Sequence, residues 1–112
     1  YTFILPATNE VPKRLQHPSK STIGIRIAES HLVKGLLQSL GDPLITSTLR
    51  LPGENEPLIE PEEITKSLKS SFDLMVDGGT LGKELTTVID MSSEKISILR
   101  EGVGSFIDLD FE

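Results

Sequence analysis

The chain contains no cysteine and no tryptophan. Without thiols there is no disulfide, no thiolate nucleophile and no cysteine-based zinc site, a pattern that fits a reducing compartment and points to the cytoplasm. Aromatic residues make up only 4% of the chain and apolar residues 37%, so the interior has to be aliphatic and modest. No long apolar run occurs: stretches such as Leu74-Met75-Val76 fall far short of the ~20 residues that cross a bilayer. The two histidines, His17 and His31, stand fourteen positions apart with no acid at helical ligand spacing from both, which favours solvated histidines over a metal site. Nor is there an initiator Met, a signal peptide or a polar lead-in before Tyr1-Thr2-Phe3-Ile4-Leu5. That alternating run reads as the middle of a folded domain, so the expectation is a fragment, or a chain trimmed at its front.

What is present is one domain's worth of sequence, 112 residues, with a net charge of −6. The charge is uneven: residues 1–50 carry six cations against three acids, and 51–112 carry five against fourteen. The whole chain lacks the basic surplus of a nucleic-acid binder. A local cluster of Lys13, Arg14, Lys20, Arg26, Lys34 and Arg50 can still meet phosphate.

The opening strand is followed by a short helical turn over 10–15 and a loop at Pro18-Ser19-Lys20-Ser21. Thr22–Ile27 alternates and is β-branched, which predicts a buried strand. Ser30 then caps a helix whose apolar residues fall at Leu32, Val33, Leu36, Leu37 and Leu40, closed by Gly41. Leu44–Leu49 reads as a strand. Pro61, with Glu62 and Glu63 behind it and Lys66 and Lys69 further on, punctuates a second helix in the sense its dipole favours. Phe72–Val76 reads as a third internal strand, ending in Asp77-Gly78-Gly79. Thr86–Met91 and Lys95–Arg100 are two further β-rich runs at hairpin spacing. The expected class is α/β: an open, twisted, mixed sheet with βαβ crossovers.

Most motifs fail on inspection. Gly78-Gly79-Thr80-Leu81-Gly82-Lys83 lacks the first glycine of a P-loop, where Asp77 stands, and the hydroxyl after the lysine, where Glu84 stands. Gly102-Val103-Gly104 lacks the third glycine of a dinucleotide fingerprint. The acids Glu54, Glu56, Glu60, Glu62 and Glu63 suit a loop and a helix N-terminus better than paired acid and base catalysis. What remains is a set of hydroxyls and arginines expected at strand ends: Arg26, Thr46-Ser47-Thr48 with Arg50, Thr86-Thr87, and Arg100. In open α/β sheets ligands gather outside the carboxyl ends of strands, and such donors hold carboxylate or phosphate oxygens there.

The same segments carry a family resemblance. Tyr1–Leu5, Thr22-Ile23-Gly24-Ile25-Arg26-Ile27, Gly41-Asp42-Pro43-Leu44, Asp77-Gly78-Gly79, Thr86-Thr87-Val88-Ile89-Asp90 and Leu99-Arg100-Glu101-Gly102 together resemble the YrdC/YciO family. Thr48-Leu49-Arg50-Leu51-Pro52-Gly53 looks most like its YciO branch. The resemblance implies a YrdC/RibB-like fold in which residues 1–112 form the C-terminal portion of a single domain whose N-terminal part is absent. It implies synthesis of L-threonylcarbamoyladenylate from ATP, L-threonine and bicarbonate, with Mg²⁺ accompanying ATP, in the threonylcarbamoyl modification of tRNA adenosine. The fragment alone is expected to be inactive. An alternative implied by the family is a non-catalytic module binding double-stranded RNA or tRNA. Carried over by position, Thr48, Arg50 and Arg100 are the nucleotide-binding candidates; Arg26, Thr86 and Thr87 are the candidates for the threonine carboxylate or a phosphate. Arg50 departs from the family pattern, replacing an amide that donates and accepts with a cation that only donates.

Overall fold

The structure is a computed structural model that describes residues 1–109. The chain divides into two compact units, one formed by Tyr1–Ala28 with the chain from Glu84 onward, the other by Glu29–Lys83.

The first unit is built on a four-stranded open sheet of β1 (Thr2–Pro6), β2 (Thr22–Ile25), β3 (Val88–Asp90) and β4 (Ser97–Arg100), in the order β2-β1-β3-β4. β1 pairs antiparallel with β2 and parallel with β3, and β3 pairs antiparallel with β4, so the sheet is mixed as the sequence predicts. The parallel pair demands a long crossover, and the connection between β1 and β3 carries β2 and the two α-helices of the described residues. Register places Ile25, Phe3, Ile89 and Ile98 in one row, with Ile23 beside Leu5 on the same face. The opposite face receives Thr2, Val88 and Arg100 in one row and Gly24, Ile4, Asp90 and Ser97 in the next. Between the pairs Val88–Arg100 and Ile89–Ile98 the register shifts by one residue, a β-bulge at Leu99. Short 3₁₀ turns at Lys13–Leu15 and Phe106–Asp108 complete the unit.

The second unit holds α1 (His31–Leu40) and α2 (Pro61–Leu68). α1 starts where the Ser30 hydroxyl accepts from the Val33 N–H and stops where Gly41 takes φ 72°, donating its N–H to the Leu37 carbonyl. α2 begins at Pro61, whose missing N–H costs nothing in a first turn, with Glu62 and Glu63 at its positive end. Both ends of α1 and the start of α2 follow the sequence reading.

The two strands expected between and after these helices do not form. Leu44–Leu49 and Phe72–Val76 have no ladder, and Ile45 and Leu74 are 82% and 80% exposed. Residues that favour strands still need a partner edge to satisfy their backbone. Here 44–49 obtains one such bond, from the Leu58 N–H to the Leu49 carbonyl. The regular alternation of strand and helix through the middle of the chain is therefore replaced by two helices joined by irregular segments. β2 is shorter than expected and half of it is exposed.

Candidate functional site

The candidate residues fall into the two units. Arg26, Thr86, Thr87 and Arg100 belong to the first, and Thr48 and Arg50 to the second.

In the first unit the sheet gathers four of them at one end. β1 and β3 both begin there, at Thr2 and Val88, and the antiparallel edge strands β2 and β4 both finish there, at Ile25 and Arg100. Arg26 leaves β2 immediately after Ile25, which pairs with Phe3, so it emerges at the Thr2 end on one edge while Arg100 stands on the other. Four strands at the usual spacing put these two edges roughly 14 Å apart. Thr86 and Thr87 lie between them, ahead of β3. The end so formed is thus the amino end of the parallel pair, whereas the sequence reading placed the polar set at the strands' carboxyl ends.

Arg100 is exposed yet anchored. Its Nε and Nη2 donate to the Thr86 carbonyl at 3.1 and 2.8 Å, and Nη2 also reaches the Thr86 hydroxyl at 3.2 Å. Thr86 Oγ1 lies 2.8 Å from Thr2 Oγ1. Since the Thr86 hydroxyl accepts from a donor-only guanidinium, its own proton is free to pass to Thr2. The bulge at Leu99 makes this possible. With an uninterrupted register, Ile98 and Arg100 would share a face; the extra residue lets Ile98 join Ile89 in the apolar row while Arg100 sits beside Val88. Nη1 of Arg100 has no partner among the described residues.

Thr87 is committed to the fold. It is 1% exposed, its hydroxyl accepts from the Gly102 N–H at 2.9 Å and donates to the Gly104 carbonyl at 2.6 Å. The Val103 N–H adds a bond to the Leu85 carbonyl at 3.0 Å. These contacts hold the 102–104 loop against the strand, and Tyr1 secures its far side, stacking on Phe3 and donating from its phenol to the Ser105 carbonyl. Thr2, Gly102 and Gly104 were not among the candidates. The available signal was Gly102-Val103-Gly104 itself: two glycines after a strand mark close backbone approach even where they fail as a nucleotide fingerprint. A shallow depression of about 280 Å³ opens beside this loop, lined by Thr87, Ile98, Glu101 and Ile107 among others.

At the carboxyl end of β3, Asp90 accepts from the Ser92 hydroxyl at 2.6 Å and from the Ser92 N–H at 2.9 Å. Those hydrogen bonds, and more weakly the charge of Lys20, hold its carboxyl below the usual aspartate range.

In the second unit Thr48 and Arg50 are exposed, and Thr48 accepts at its carbonyl from the Ser47 hydroxyl at 3.5 Å. The stretch that failed as a P-loop is spent on acids: Thr80 donates to Glu60 at 2.8 Å and Lys83 to Glu56 at 2.7 Å. The hydrogen bond and charge of each partner lower the Glu56 pKa and raise that of Lys83. A second open depression, lined by Thr65, Lys66, Lys69, Met75 and Asp77 with Pro61 and Glu62, includes none of the candidates.

Comparison with known proteins gives a consistent result. The Sua5_yciO_yrdC family model, described as "Telomere recombination", matches residues 1–102. An uncharacterized protein YciO of Escherichia coli K12 is 43% identical over 104 residues, 93% of this chain and 50% of that protein. An uncharacterized protein of Haemophilus influenzae is 45% identical over 106 residues, 94% of this chain and 51% of that one. The crystal structure of E. coli YciO matches with a TM-score of 0.87 at 43% identity, over 94% of this chain and 51% of that chain. The chain spans about half the length of the curated relatives it matches.

Proposed function

The chain belongs to the Sua5/YciO/YrdC family, and from that premise we propose that it supplies one wall of a nucleotide site of the L-threonylcarbamoyladenylate synthase type. The observation that carries the reading is the anchored Arg100, at the same end of the sheet as Arg26. The reaction forms a bond between a carbamate oxygen of N-carboxylated threonine and the α-phosphorus of ATP while the bond to diphosphate breaks. Little covalent work falls to the protein; positioning and stabilisation of phosphate charge dominate. A guanidinium already held on one edge meets that requirement, because less side-chain freedom is lost when the ligand arrives. Mg²⁺ accompanying ATP would neutralise part of the phosphate charge, leaving Arg100 and Arg26 to hold the oxygens it does not cover. Arg26 is the second cation of this end, suited to a carboxylate or a phosphate. Thr48 and Arg50, in the other unit, are nucleotide-binding candidates by family position alone.

ATP binding measured by calorimetry tests the proposal directly. The chain is expected to bind ATP, and Arg100→Ala to lose about tenfold or more in affinity, since hydrogen bonds to charged groups contribute about 1.5–3 kcal/mol. Equal affinity of the two proteins would remove Arg100 from the site. Threonine-dependent release of diphosphate, measured on a protein of the relatives' full length that carries these residues, then distinguishes a synthase from a nucleotide binder.

A second reading, binding of double-stranded RNA or tRNA, is favoured by the exposed Lys13, Arg14, Lys20 and Arg26 within the first unit. It requires affinity that falls steeply with salt. Its support is narrower, because the chain as a whole carries a net −6.

A further inference from the structure

We infer that Thr86 is a positioning residue, which orients Arg100 and thereby selects Nη1 as the edge the guanidinium offers to an anionic ligand. The inference rests on the nucleotide reading for the ligand, and on geometry alone for the orientation. It differs from the role the family resemblance implies, in which the Thr86 hydroxyl touches the ligand itself.

A guanidinium has three nitrogens in one plane, so fixing two of them fixes the third. Thr86 holds both Nε and Nη2, the carbonyl taking 3.1 and 2.8 Å contacts and the hydroxyl one of 3.2 Å. The hydroxyl is itself tied to Thr2 at 2.8 Å, on the neighbouring strand. Thr2, Thr86 and Arg100 therefore form a relay from the central strand to the sheet edge. Its members share the face opposite the apolar row because the bulge at Leu99 places Arg100 beside Val88. An exposed arginine without such anchors samples many rotamers and loses that freedom on binding. With Nε and Nη2 engaged, Nη1 is the nitrogen left with both N–H groups for a phosphate or carboxylate oxygen. A lysine at this position retains the charge and loses the planar fork that makes the arrangement possible.

The test is NMR of arginine side chains in the chain as it stands, combined with titration of inorganic triphosphate. In the wild type the Arg100 Nε–H signal is expected to be sharp and slow to exchange, unlike that of exposed Arg26. Thr86→Val removes the hydroxyl, preserves shape and keeps the carbonyl that holds Nε; it should speed rotation of the Nη2 group about fivefold, the factor for one hydrogen bond of ordinary net strength, while leaving Nε–H exchange nearly as it was. Triphosphate affinity should fall by a similar factor, and Thr86→Ser should restore both. Arg100 Nε–H exchange in the wild type as fast as that of Arg26, or Nη2 rotation unchanged in Thr86→Val, overturns the proposal whether or not triphosphate binds. Rotation that responds as expected in a protein with no triphosphate affinity upholds the orientation of Arg100 by Thr86 and defeats the nucleotide reading instead. Should Thr86→Val fail to fold, Thr2→Val is the second variant: it cuts the relay one step earlier, and faster Nη2 rotation there supports the proposal while unchanged rotation counts against it.

Discussion

A Cβ added at Gly102 would run into the Leu85 carbonyl oxygen and lie 2.5 Å from the Thr86 carbonyl carbon and 2.6 Å from the Thr87 nitrogen. All three are backbone atoms, which have no rotamer to yield. Gly102→Ala should therefore destabilise the chain by about 1–3 kcal/mol, the usual range for overpacking, read as a lower urea midpoint. Gly35, with nothing within 4 Å of such a Cβ, is the control and should tolerate alanine. Thr87→Val acts on the same loop by another route. It leaves the Gly102 N–H and the Gly104 carbonyl without their partner and should cost about 1–3 kcal/mol, with Thr87→Ser recovering most of it. Asp90 gives a pH signature. Its carboxyl titrates below the ordinary value of 3.8 because the folded chain hydrogen-bonds its ionised form through Ser92. A depressed folded-state pKa means that the stabilisation is fully present above the unfolded value and is lost as pH falls through the folded one. Urea midpoints measured from pH 6 downward should thus begin to decline near pH 4 and continue below it. Ser92→Ala should flatten that part of the decline, and an unchanged slope would show that the carboxylate is not stabilised by Ser92.

Among the elements, those with local punctuation are the ones the sequence made legible. Ser30 and Gly41 bound α1, and Pro61 with two acids opens α2, because caps, dipole and φ preference act within a turn and need no distant partner. Gly41 at φ 72° should resist replacement: Gly41→Ala is expected to cost about 1–2 kcal/mol of strain, seen as a lower thermal midpoint. The strands were less legible, since a strand exists only when another backbone completes it. β1, β2, β3 and β4 found partners. Leu44–Leu49 and Phe72–Val76, with comparable β-branched and aliphatic content, did not, and the Pro43 and Pro52 that bracket the former restrict ladder pairing at its ends. The bulge at Leu99 was invisible for the same reason: it is a relation between β3 and β4. Its effect on the site is nevertheless specific. Deleting Leu99 makes Ile98 and Arg100 neighbours on a regular strand, so Arg100 should stay opposite Val88 and keep its bonds to Thr86, with its Nε–H exchange still slower than that of Arg26; inserting a residue after Leu99 should instead shift Arg100 out of that register and bring its exchange close to that of Arg26. The candidate site was half legible in its arrangement. Arg100, Thr86 and Thr87 were named as candidates from residue type and motif, whereas the engagement of Thr87 by Gly102 and Gly104, and the contact of Thr2 with Thr86, depend on contacts across 15, 17 and 84 positions.

Taken over the whole molecule, the expected aliphatic core is even smaller than composition suggested. Ile89 is the one fully buried apolar residue among the described residues, at 0% exposure. It sits at the centre of the apolar row, with Phe3 on one side and Ile98 on the other, while Ile25 at the edge of that row is 45% exposed. Burial of this kind sets the scale of what each side chain contributes. Ile89→Ala should cost about 2–5 kcal/mol, a large part of the ~5–15 kcal/mol that holds an ordinary domain together, and the variant is expected to be largely unfolded at 37 °C. Ile25→Ala removes the same atoms from a half-exposed place and should cost roughly 1 kcal/mol. Both are read from urea midpoints with the slope held constant, so that a change in cooperativity is not mistaken for a change in stability. Since Ile25 and Ile89 share a face and differ only in what surrounds them, the ratio of the two losses measures how much of that face is covered in solution. A loss at Ile25 equal to that at Ile89 would mean the edge of the sheet is as dry as its centre, and that the apolar row is buried along its full width.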